Sequence, residues 1–462
     1  MTGSEPQPLS LAGLQQCFEG AVPAVVATAA ADGTPNITYL SRVQLVDAER
    51  IALSNQFFSK TARNLAENPR ASVLLIDPTT YRQFRLAAVY ERTERRGPVF
   101  DRLRRDVDAL ATLAGLQDVF KLRAADVYRV VDVEEVPSGR AVEPQGEPVS
   151  PAELDAATSA RLGDLVGRLS RCGDLDTLVE ATVHGLAELF GYEHCVLLLT
   201  DEAGRQLYTI ASHGFATEGV GSEVPLGQGI IGMAAARCEP LRLGNLRQMA
   251  KYSSAVRRSF DEGAIGPGAD IPLPALPEAQ SRVAVPAMSR GQLVGVLTVE
   301  SDRPVAFTPA DEAVLTVVAS VVANAVELER TQAPAGPGGD DGAPTPQPAE
   351  ATSDDAMQVR FYEADGSTFL DGDYLIKGVA GRLLWSLLRQ HEADGRTEFT
   401  NREVRLDSSL DLPAFRDNLE SRLILLKRRL DEREAPVRIE KTGRGRFRLL
   451  VEGALRLEAV SA

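Results

Sequence analysis

The chain has 462 residues, a length that predicts about three domains at roughly 150 residues each. Hydrophobic residues make up 44% of the chain and charged residues 25%, which excludes a wholly disordered or fibrous protein. The 50 Lys and Arg against 65 Asp and Glu give a net charge of −15, which argues against a protein that coats nucleic acid or anionic lipid along its whole length. A basic face on one domain is still compatible with this total.

Cysteine usage and the N-terminal residues favour a reducing compartment. The cysteines are scattered without a CxxC pair, and residues 1–14 contain no basic segment of the kind that opens a signal peptide. The longest apolar stretch, 313–326, is too short to span a bilayer. We therefore expect a cytoplasmic protein with free cysteines. They are Cys17, Cys172, Cys195 and Cys238.

Two stretches rich in proline, glycine and acidic residues divide the chain, 138–151 and 331–356. Such a composition cannot bury enough apolar surface to offset its ordering entropy, so both are predicted to be flexible linkers. Three domains remain, 1–137, 152–330 and 357–455. Their strand and helix patterns predict a multidomain α+β protein.

Short apolar runs separated by turn signals predict five or six strands in the first domain. Asp32-Gly33 separates the runs 23–28 and 36–40, which is the pattern of a β-hairpin. Helices are predicted at 60–67 and at about 100–116. Together these elements predict a small β-barrel.

Five motifs in the first domain resemble those of the pyridoxamine 5′-phosphate oxidase-like flavin-binding split barrels. They are Ser41-Arg42-Val43, Ser54-Asn55, Ser59-Lys60 with Asn64, Asn68-Pro69-Arg70-Ala71 and Tyr81-Arg82-Gln83. The resemblance implies FMN, with Arg42 and Lys60 as phosphate ligands and Gln83 as a ring ligand. Positive charge and hydroxyl donors are what a phosphate needs. The cofactor-binding candidates are Arg42, Val43, Ser54, Asn55, Ser59, Lys60 and Gln83.

Other interpretations of the same residues stay open. A deazaflavin or haem is an alternative ligand, the site could be empty, and Arg42 and Lys60 could be solvated surface charges. The family's vitamin B6 oxidases carry a late Arg-x-His element, whereas the first domain has no histidine and its end reads Lys121-Leu-Arg-Ala-Ala-Asp-Val-Tyr-Arg129. Oxidation of pyridoxamine phosphate itself is not expected.

The second domain alternates helices and strands. Apolar residues at helical spacing from 162 to 190 precede two predicted strands, 194–199 and 206–211. A closing helix is opened by Thr308, an acidic residue three positions later, and Pro309 at its first turn.

Two glycine-containing motifs give this domain its resemblance to a GAF domain, an α/β/α sandwich that senses small molecules in bacterial signalling. They are Pro225-Leu-Gly-Gln-Gly-Ile-Ile-Gly232 and Gly291-Gln-Leu-Val-Gly-Val-Leu297. The resemblance implies a ligand pocket between the sheet and the loops 227–232 and 270–286.

The ligand of that pocket is left open. Phe307, Asp311 and Glu312 agree with half of the cyclic-nucleotide pattern, but Asn245 is followed by Leu246 where that pattern has Asn-Lys. A redox-active cysteine and a purely structural, dimer-forming GAF domain are further alternatives.

A metal or haem site would draw on His184, His194, His213 and the cysteines. Because His194 and Cys195 are neighbours on a predicted strand, they face opposite ways and cannot both ligate one ion. We therefore assign no metal site.

The helices at 162–171 and 311–330 are typical of a homodimer interface, although the second could instead pack on its own sheet. Its apolar face comprises Ala313, Leu315, Val317, Val318, Val321, Val322, Ala325 and Val326.

The third domain is predicted to contain two short strands, helices at 378–391 and 412–433, and a hairpin at 437–450. It resembles the winged-helix effector domain of bacterial response regulators through Asn418–Leu430 and Ile439–Leu449. Phe447 stands where that family usually has Tyr, and the glycine spacing is shifted.

Local charge supports DNA binding by the third domain. Between Arg416 and Arg448 there are eleven Lys and Arg against six Asp and Glu, a net charge of +5. The resemblance implies major-groove contacts from the long helix and phosphate or minor-groove contacts from the hairpin. Because Asp417 and Glu420 lie on the same helix, a degenerate winged helix that binds protein is the alternative. The DNA-binding candidates are Arg416, Arg422, Lys427, Arg444 and Arg446.

The sequence therefore predicts a cytoplasmic bacterial regulator, in which a flavin-type split barrel and a GAF domain sense a small molecule or redox state. A winged helix would respond by binding DNA, as in transcription regulation. A flavin-dependent oxidoreductase with GAF and winged-helix docking modules is the alternative, although no nucleophile–base set is visible. A structural adaptor with empty pockets is the third interpretation.

Overall fold

The computed structural model divides into a first region (9–137), a second region (154–331) and a third region (356–460). The described residues are 9–19, 23–56, 59–114, 121–137, 154–246, 271–331, 356–410, 419–443 and 445–460. The predicted linkers fall almost wholly outside these ranges, as do two DNA-binding candidates, Arg416 and Arg444.

The first region is a seven-stranded antiparallel sheet in the order β2-β1-β5-β6-β7-β4-β3. Register shifts between Ala87 and Ala88 and between Tyr90 and Arg92 bend the two longest strands, as bulges do in barrels. The strands are β1 (Ala24–Ala29), β2 (Pro35–Leu40), β3 (Val43–Leu45), β4 (Arg50–Asn55), β5 (Arg70–Ile76), β6 (Gln83–Glu94) and β7 (Ala124–Val136). The helices are α1 (Gln15–Glu19), α2 (Ser59–Glu67) and α3 (Pro98–Ala114).

Alternation along the strands places the apolar side chains of the first region in one core. Val26, Ile51, Val73 and Leu86 are fully buried there and pack with Tyr128. The two predicted helices are present. The strand β3 was not predicted, because three residues are too short for an alternating pattern to show.

The second region is a six-stranded antiparallel sheet in the order β10-β9-β8-β13-β12-β11 with helices on both faces. The strands are β8 (His194–Thr200), β9 (Gln206–His213), β10 (Glu223–Pro225), β11 (Leu241–Leu243), β12 (Ser281–Ser289) and β13 (Gln292–Ser301). The helices are α4 (Ala156–Leu169), α5 (Leu175–Phe190), α6 (Gly229–Arg237) and α7 (Pro309–Thr331).

The two faces of this sheet carry separate cores. Leu197 and Leu199 face α4, α5 and α7, whereas Val196 and Leu198 face α6. The apolar face predicted for α7 packs largely on its own sheet, since Leu315, Val318, Val322 and Val326 are fully buried. Val317 and Leu328 of the same helix are exposed.

The described residues of the third region form two small sheets, three α-helices and one short 3-10 helix, Ser408–Leu410. One sheet has the order β16-β15-β14-β20, with β20 parallel to β14, and the other has the order β17-β19-β18. The strands are β14 (Met357–Tyr362), β15 (Ser367–Leu370), β16 (Asp373–Ile376), β17 (Glu398–Thr400), β18 (Val437–Gly443), β19 (Arg446–Val451) and β20 (Leu455–Val460). The helices are α8 (Gly378–Asp394), α9 (Asn401–Leu406) and α10 (Leu419–Glu432). The domain end predicted at 455 falls at the first residue of β20.

The second and third regions share one apolar core. Leu423 and Leu425 of α10 belong to the same buried cluster as Tyr208, Ile210 and Val220 of the second region. Helix α10 thus covers the part of the sheet near β9. Across the described residues, no helix is both long and apolar enough to cross a membrane.

Candidate functional site

Three of the predicted cofactor residues lie together where β3 meets β4. The backbone N–H of Arg42 donates to Ser54 Oγ, and the N–H of Ser54 donates to the Arg42 carbonyl, both at 3.1 Å. Val43 is buried in the core of the first region. Ser54 is only 1% exposed, and its hydroxyl accepts the hydrogen bond that supports the Arg42 backbone.

The Arg42 guanidinium is held by a helix that was not connected with it in the sequence. Its Nε donates to Asp106 Oδ2 of α3 at 2.8 Å, and the two side chains are 11% and 22% exposed. The Asp106 carboxylate therefore offsets part of the positive charge that Arg42 would offer to a phosphate.

Two buried glutamines, Gln44 two residues after Arg42 and Gln56 two residues after Ser54, have side-chain atoms without a hydrogen-bond partner in the described part of the chain. Both polar atoms of the Gln44 amide are unpaired. Gln56 accepts a hydrogen bond from Ser41 Oγ at 2.8 Å, but its Nε2 has no partner. Arg42 immediately precedes β3, and Gln44 is the second residue of that strand. Buried amides of this kind have free hydrogen-bonding capacity that a water molecule or a polar ligand could use.

Asn55 belongs to a buried polar network at the end of β4. Its Nδ2 donates to Asp126 Oδ2 at 2.9 Å, and Thr93 Oγ1 donates to Asp126 Oδ1 at 2.6 Å. Burial raises the pKa of Asp126, and these hydrogen bonds oppose that effect. The network fixes Asn55 in place; Asp126 was not singled out in the sequence.

The remaining cofactor candidates are more dispersed. Ser59 and Lys60 are the first residues of α2, which begins four residues after the end of β4, and Lys60 is exposed. Gln83 pairs with Val136 at one end of β7, whereas Asn55 pairs with Ala124 at the other. Gln83 and Asn55 therefore lie beside opposite ends of β7, whose 13 residues span roughly 40 Å. Within one chain the sheet does not place Gln83 beside the other candidates.

Helix α3 connects this site with the second region. Two residues after Asp106, the carboxylate of Asp108 pairs with Arg237 at the end of α6 at 2.8 Å. Ala109 belongs to the buried cluster on the α6 face of the second sheet, and Leu110 packs against it. One short segment of α3 therefore touches both candidate ligand sites.

The α6 face of the second region has an apolar centre with polar groups at one side. Val196, Leu198 and Ile230 contribute to the apolar cluster. Glu300, almost fully buried, pairs with Arg282 and accepts from the Leu276 N–H at 2.8 Å. Asn245, two residues beyond the end of β11, is 2% exposed. Its Nδ2 has no hydrogen-bond partner among the described residues. Residues 247–270 lie outside the described ranges.

The residues that agree with a cyclic-nucleotide pattern lie on the opposite face of the second region's sheet, away from α6. Phe307 packs in the helix-side core, and Asp311 accepts from the Thr308 N–H at 2.7 Å as part of the cap of α7. Glu312 pairs with Arg242 at 3.2 Å. Each side chain thus has a local packing, capping or ion-pair role.

Three histidines lie near one another at the end of β9. The rings of His184 and His213 are 4.8 Å apart, and that of His194 lies 5.3 Å from Phe215. Burial and the neighbouring His184 lower the pKa of His213. Within the described ranges no three His, Cys, Asp or Glu side chains are arranged to hold a metal ion.

Cys195 is fully buried, and burial raises the pKa of its thiol far above the ordinary value.

The predicted DNA-binding helix is docked on the second region. Arg422 of α10 makes a two-bond contact with Glu202, with Nε and Nη2 each 2.6 Å from a carboxylate oxygen. The same guanidinium lies 4.0 Å from the ring centre of Tyr208. At 7% exposure, Arg422 is removed from solvent.

Further ion pairs extend this contact along α10 and the hairpin. Arg428 binds Asp176 at 2.7 Å and Glu180 at 2.7 Å. Lys427 lies 3.6 Å from Asp176. Lys441 of β18 binds Asp174 at 3.0 Å. Of the described DNA-binding candidates, Arg446 is exposed, whereas Arg422 and Lys427 contact carboxylates of the second region.

Family models match two parts of the chain. Residues 12–131 match the model described as pyridoxamine 5′-phosphate oxidase, and residues 174–326 match the GAF domain. A curated relative, an uncharacterized protein of Methanocaldococcus jannaschii, is 34% identical over 50 residues, which is 10% of this chain. The chain spans about a third of that relative's length, 34%.

Similar solved structures correspond to the same two parts. The GAF domain of an Acinetobacter phosphoenolpyruvate-protein phosphotransferase is 22% identical with a TM-score of 0.31, covering 37% of this chain and 93% of that one. An FMN-binding protein from Syntrophomonas wolfei subsp. wolfei is 18% identical with a TM-score of 0.23, covering 27% and 90%.

The family-model matches confirm the first two predicted modules and the multidomain α+β class. Together these modules indicate a sensory or regulatory role. The chain combines a pyridoxamine 5′-phosphate oxidase-type segment, residues 12–131, with a GAF domain at residues 174–326.

Proposed function

We propose that this protein is a cytoplasmic, homodimeric signal-sensing regulator of transcription. In this proposal the split barrel binds a flavin-type cofactor, the GAF domain binds a small molecule, and the third region is a winged-helix effector that binds DNA. The observation that carries the proposal is the central place of the GAF domain. It contacts the candidate cofactor site through α3 and the basic helix α10 through a set of ion pairs.

The candidate residues of the first region have the chemical groups that a flavin phosphate and the polar edge of its ring require. Arg42 and Lys60 supply positive charge, and the unpaired amides of Gln44 and Gln56 supply donors and an acceptor. When bound, FMN would supply redox chemistry at its ring. The protein's part is to hold the phosphate, orient the ring and connect the site with α3.

Helix α3 offers a route from the cofactor to the GAF domain. In this proposal a phosphate bound to Arg42 weakens the Arg42–Asp106 ion pair, and Asp108 on the same helix is paired with Arg237 of α6. Because a helix moves largely as a unit, a shift at Asp106 changes the packing of Ala109 on the α6 face. Cofactor or redox state can thereby bias the GAF domain.

The architecture of the third region agrees with a winged-helix effector. A helix pair leads to α10, and the two-stranded hairpin β18–β19 follows directly. Arg422, Lys427 and Arg446 lie on α10 and this hairpin, the two elements that contact DNA in such domains.

Purified full-length protein tests the proposal in two measurements. Uptake of added FMN, seen as flavin absorbance that stays with the protein, supports the cofactor; a protein that retains no flavin, deazaflavin or haem refutes it. Binding to promoter-region duplex that weakens steeply with salt supports the effector. Binding that is absent at low salt, also in a variant with α10 undocked, refutes the DNA role.

The match of residues 12–131 to an oxidase family favours one second candidate, a flavin-dependent oxidoreductase. The same flavin-loaded protein distinguishes it. Repeated rapid cycles of flavin reduction by a nicotinamide donor and reoxidation by dioxygen support an enzyme, whereas a single slow reduction that alters DNA affinity supports a sensor.

A further inference from the structure

We infer that the acidic face of the GAF domain is an autoinhibitory cover for α10, and that its carboxylates occupy the places that DNA phosphates take in the active state. The acidic face is defined by Asp174, Asp176, Glu180 and Glu202. This inference rests on the proposed function, because it assumes that α10 is the helix that meets DNA.

The contacts of the acidic face are those that a phosphate backbone would make. Glu202 receives two parallel N–H bonds from Arg422, the fork geometry that guanidinium groups use for carboxylates and phosphates alike. Asp176 and Glu180 share the guanidinium of Arg428. All four acids therefore bind cations of α10 or β18, and the match is one of charge as well as shape.

Burial makes the docked arrangement incompatible with DNA. Ten of the 14 residues of α10 are buried, including Arg422, Arg428 and Arg429. A recognition helix must enter a major groove that is about 12 Å wide with its side chains free. While Leu423 and Leu425 pack in the core shared with the GAF domain, the duplex has no access to that face.

The docked state depends on the pairing of Arg422 with Glu202. Removing Glu202 leaves a guanidinium that is 7% exposed without its carboxylate, and an uncompensated buried charge strongly disfavours the docked state. Once undocked, the same guanidinium is solvated and free for phosphate.

The acidic face also lies on elements that a GAF ligand can move. Glu202 is in the turn between β8 and β9, and Asp174 and Asp176 are at the start of α5. The Gly219 N–H, in the loop between β9 and β10, donates to Glu432 at 2.9 Å. A ligand that prefers a different arrangement of these loops lowers the stability of the docked state by its differential affinity.

The experiment compares three full-length proteins: wild type, D176N/E202Q and the control D164N/E188Q. The control removes two carboxylates from the same domain that pair with Arg168 and are exposed. Two measurements are made on each protein, hydrogen exchange of the α10 amides and affinity for a fluorescein-labelled mixed-sequence duplex at low salt.

We expect D176N/E202Q to lose exchange protection in α10 and to bind the duplex on the order of 10- to 100-fold more tightly than wild type. The control should match wild type in both measurements. Unchanged protection of α10 in D176N/E202Q overturns the inference. If α10 is exposed in D176N/E202Q but this variant binds the duplex no more tightly than wild type, the inference is also overturned. In that case the DNA role stands, provided that both proteins bind the duplex. Exposed α10 with no binding in any variant overturns the proposed DNA function as well.

A charge swap separates docking from general damage to the fold. E202R alone should expose α10, and R422E/E202R should restore its protection, because the pair is rebuilt with the charges reversed. If the swap does not restore protection in a protein with a normal circular dichroism spectrum, the Arg422–Glu202 ion pair is not what holds α10 on the GAF domain.

Discussion

The ion pair between Arg42 and Asp106 makes a quantitative prediction for cofactor binding. The D106N variant retains the size of the side chain and removes the charge that competes with a flavin phosphate for Arg42. We expect D106N to bind FMN more tightly than wild type.

The size of the effect follows from the environment of the pair. At an effective dielectric constant of about 20, two unit charges 4 Å apart attract by about 4 kcal/mol, whereas exposed pairs contribute about 0–1 kcal/mol. Because Arg42 and Asp106 are 11% and 22% exposed, an intermediate value applies. We take about 1.4 kcal/mol, which corresponds to a tenfold lower dissociation constant.

Titration with FMN and riboflavin measures this effect directly. D106N should gain about tenfold for FMN and little for riboflavin, which lacks the phosphate. D108N is the matched control, because Asp108 lies two residues along the same helix and pairs with Arg237. An equal gain for both ligands, or an equal gain in D108N, refutes Arg42 as the phosphate ligand.

Three further predictions concern stability, assembly and pH. Gly295→Ala should lower the melting temperature of the GAF domain strongly, since its Cβ would lie 2.1 Å from the Leu198 carbonyl oxygen; Gly163→Ala, with open space around it, should have little effect or raise it. If α7 forms the proposed homodimer, V317E/L328E should yield monomers in sedimentation without unfolding, because both side chains are exposed; an unchanged dimer contradicts that interface. Burial raises the pKa of Asp174, but hydrogen bonds from Thr177 and Lys441 outweigh it and lower the pKa to about 2 from 3.8. Its stabilisation is therefore complete above about pH 4 and lost as the pH falls towards 2, and D174N should flatten this part of the stability profile measured by urea unfolding; an unchanged profile contradicts the assignment.

Regular patterns in the sequence were enough to predict most of the fold. Helix α5, the strands β8 and β9, and the cap at Thr308 follow from spacing and local hydrogen bonding, and all are present. The strand β20 was not predicted, because its burial is weak and only its parallel pairing with β14 identifies it. Local propensity carries no information about such long-range partners.

The candidate cofactor site was predictable only in part. The motifs located Arg42, Ser54 and Asn55, and these lie close together. The partners that decide what the site can do, Asp106 and the amide of Gln44, come from a helix and a three-residue strand with no motif. A side chain's neighbours across the fold cannot be read from spacing along the chain.

The charge of the third region shows most clearly why sequence position alone misleads. A net charge of +5 between Arg416 and Arg448 predicts a basic surface, yet three arginines of α10 are buried. The charges of Arg422 and Arg428 are matched by the acidic face of a domain more than 200 residues earlier in the chain, whereas Arg429 pairs with Glu432 of α10 itself. A protein that only needed α10 as a structural helix could cover it with apolar residues, which cost less to bury than paired charges. A set of ion pairs instead leaves the helix able to exchange one set of anions for another, and this property is what a switch between GAF domain and DNA requires.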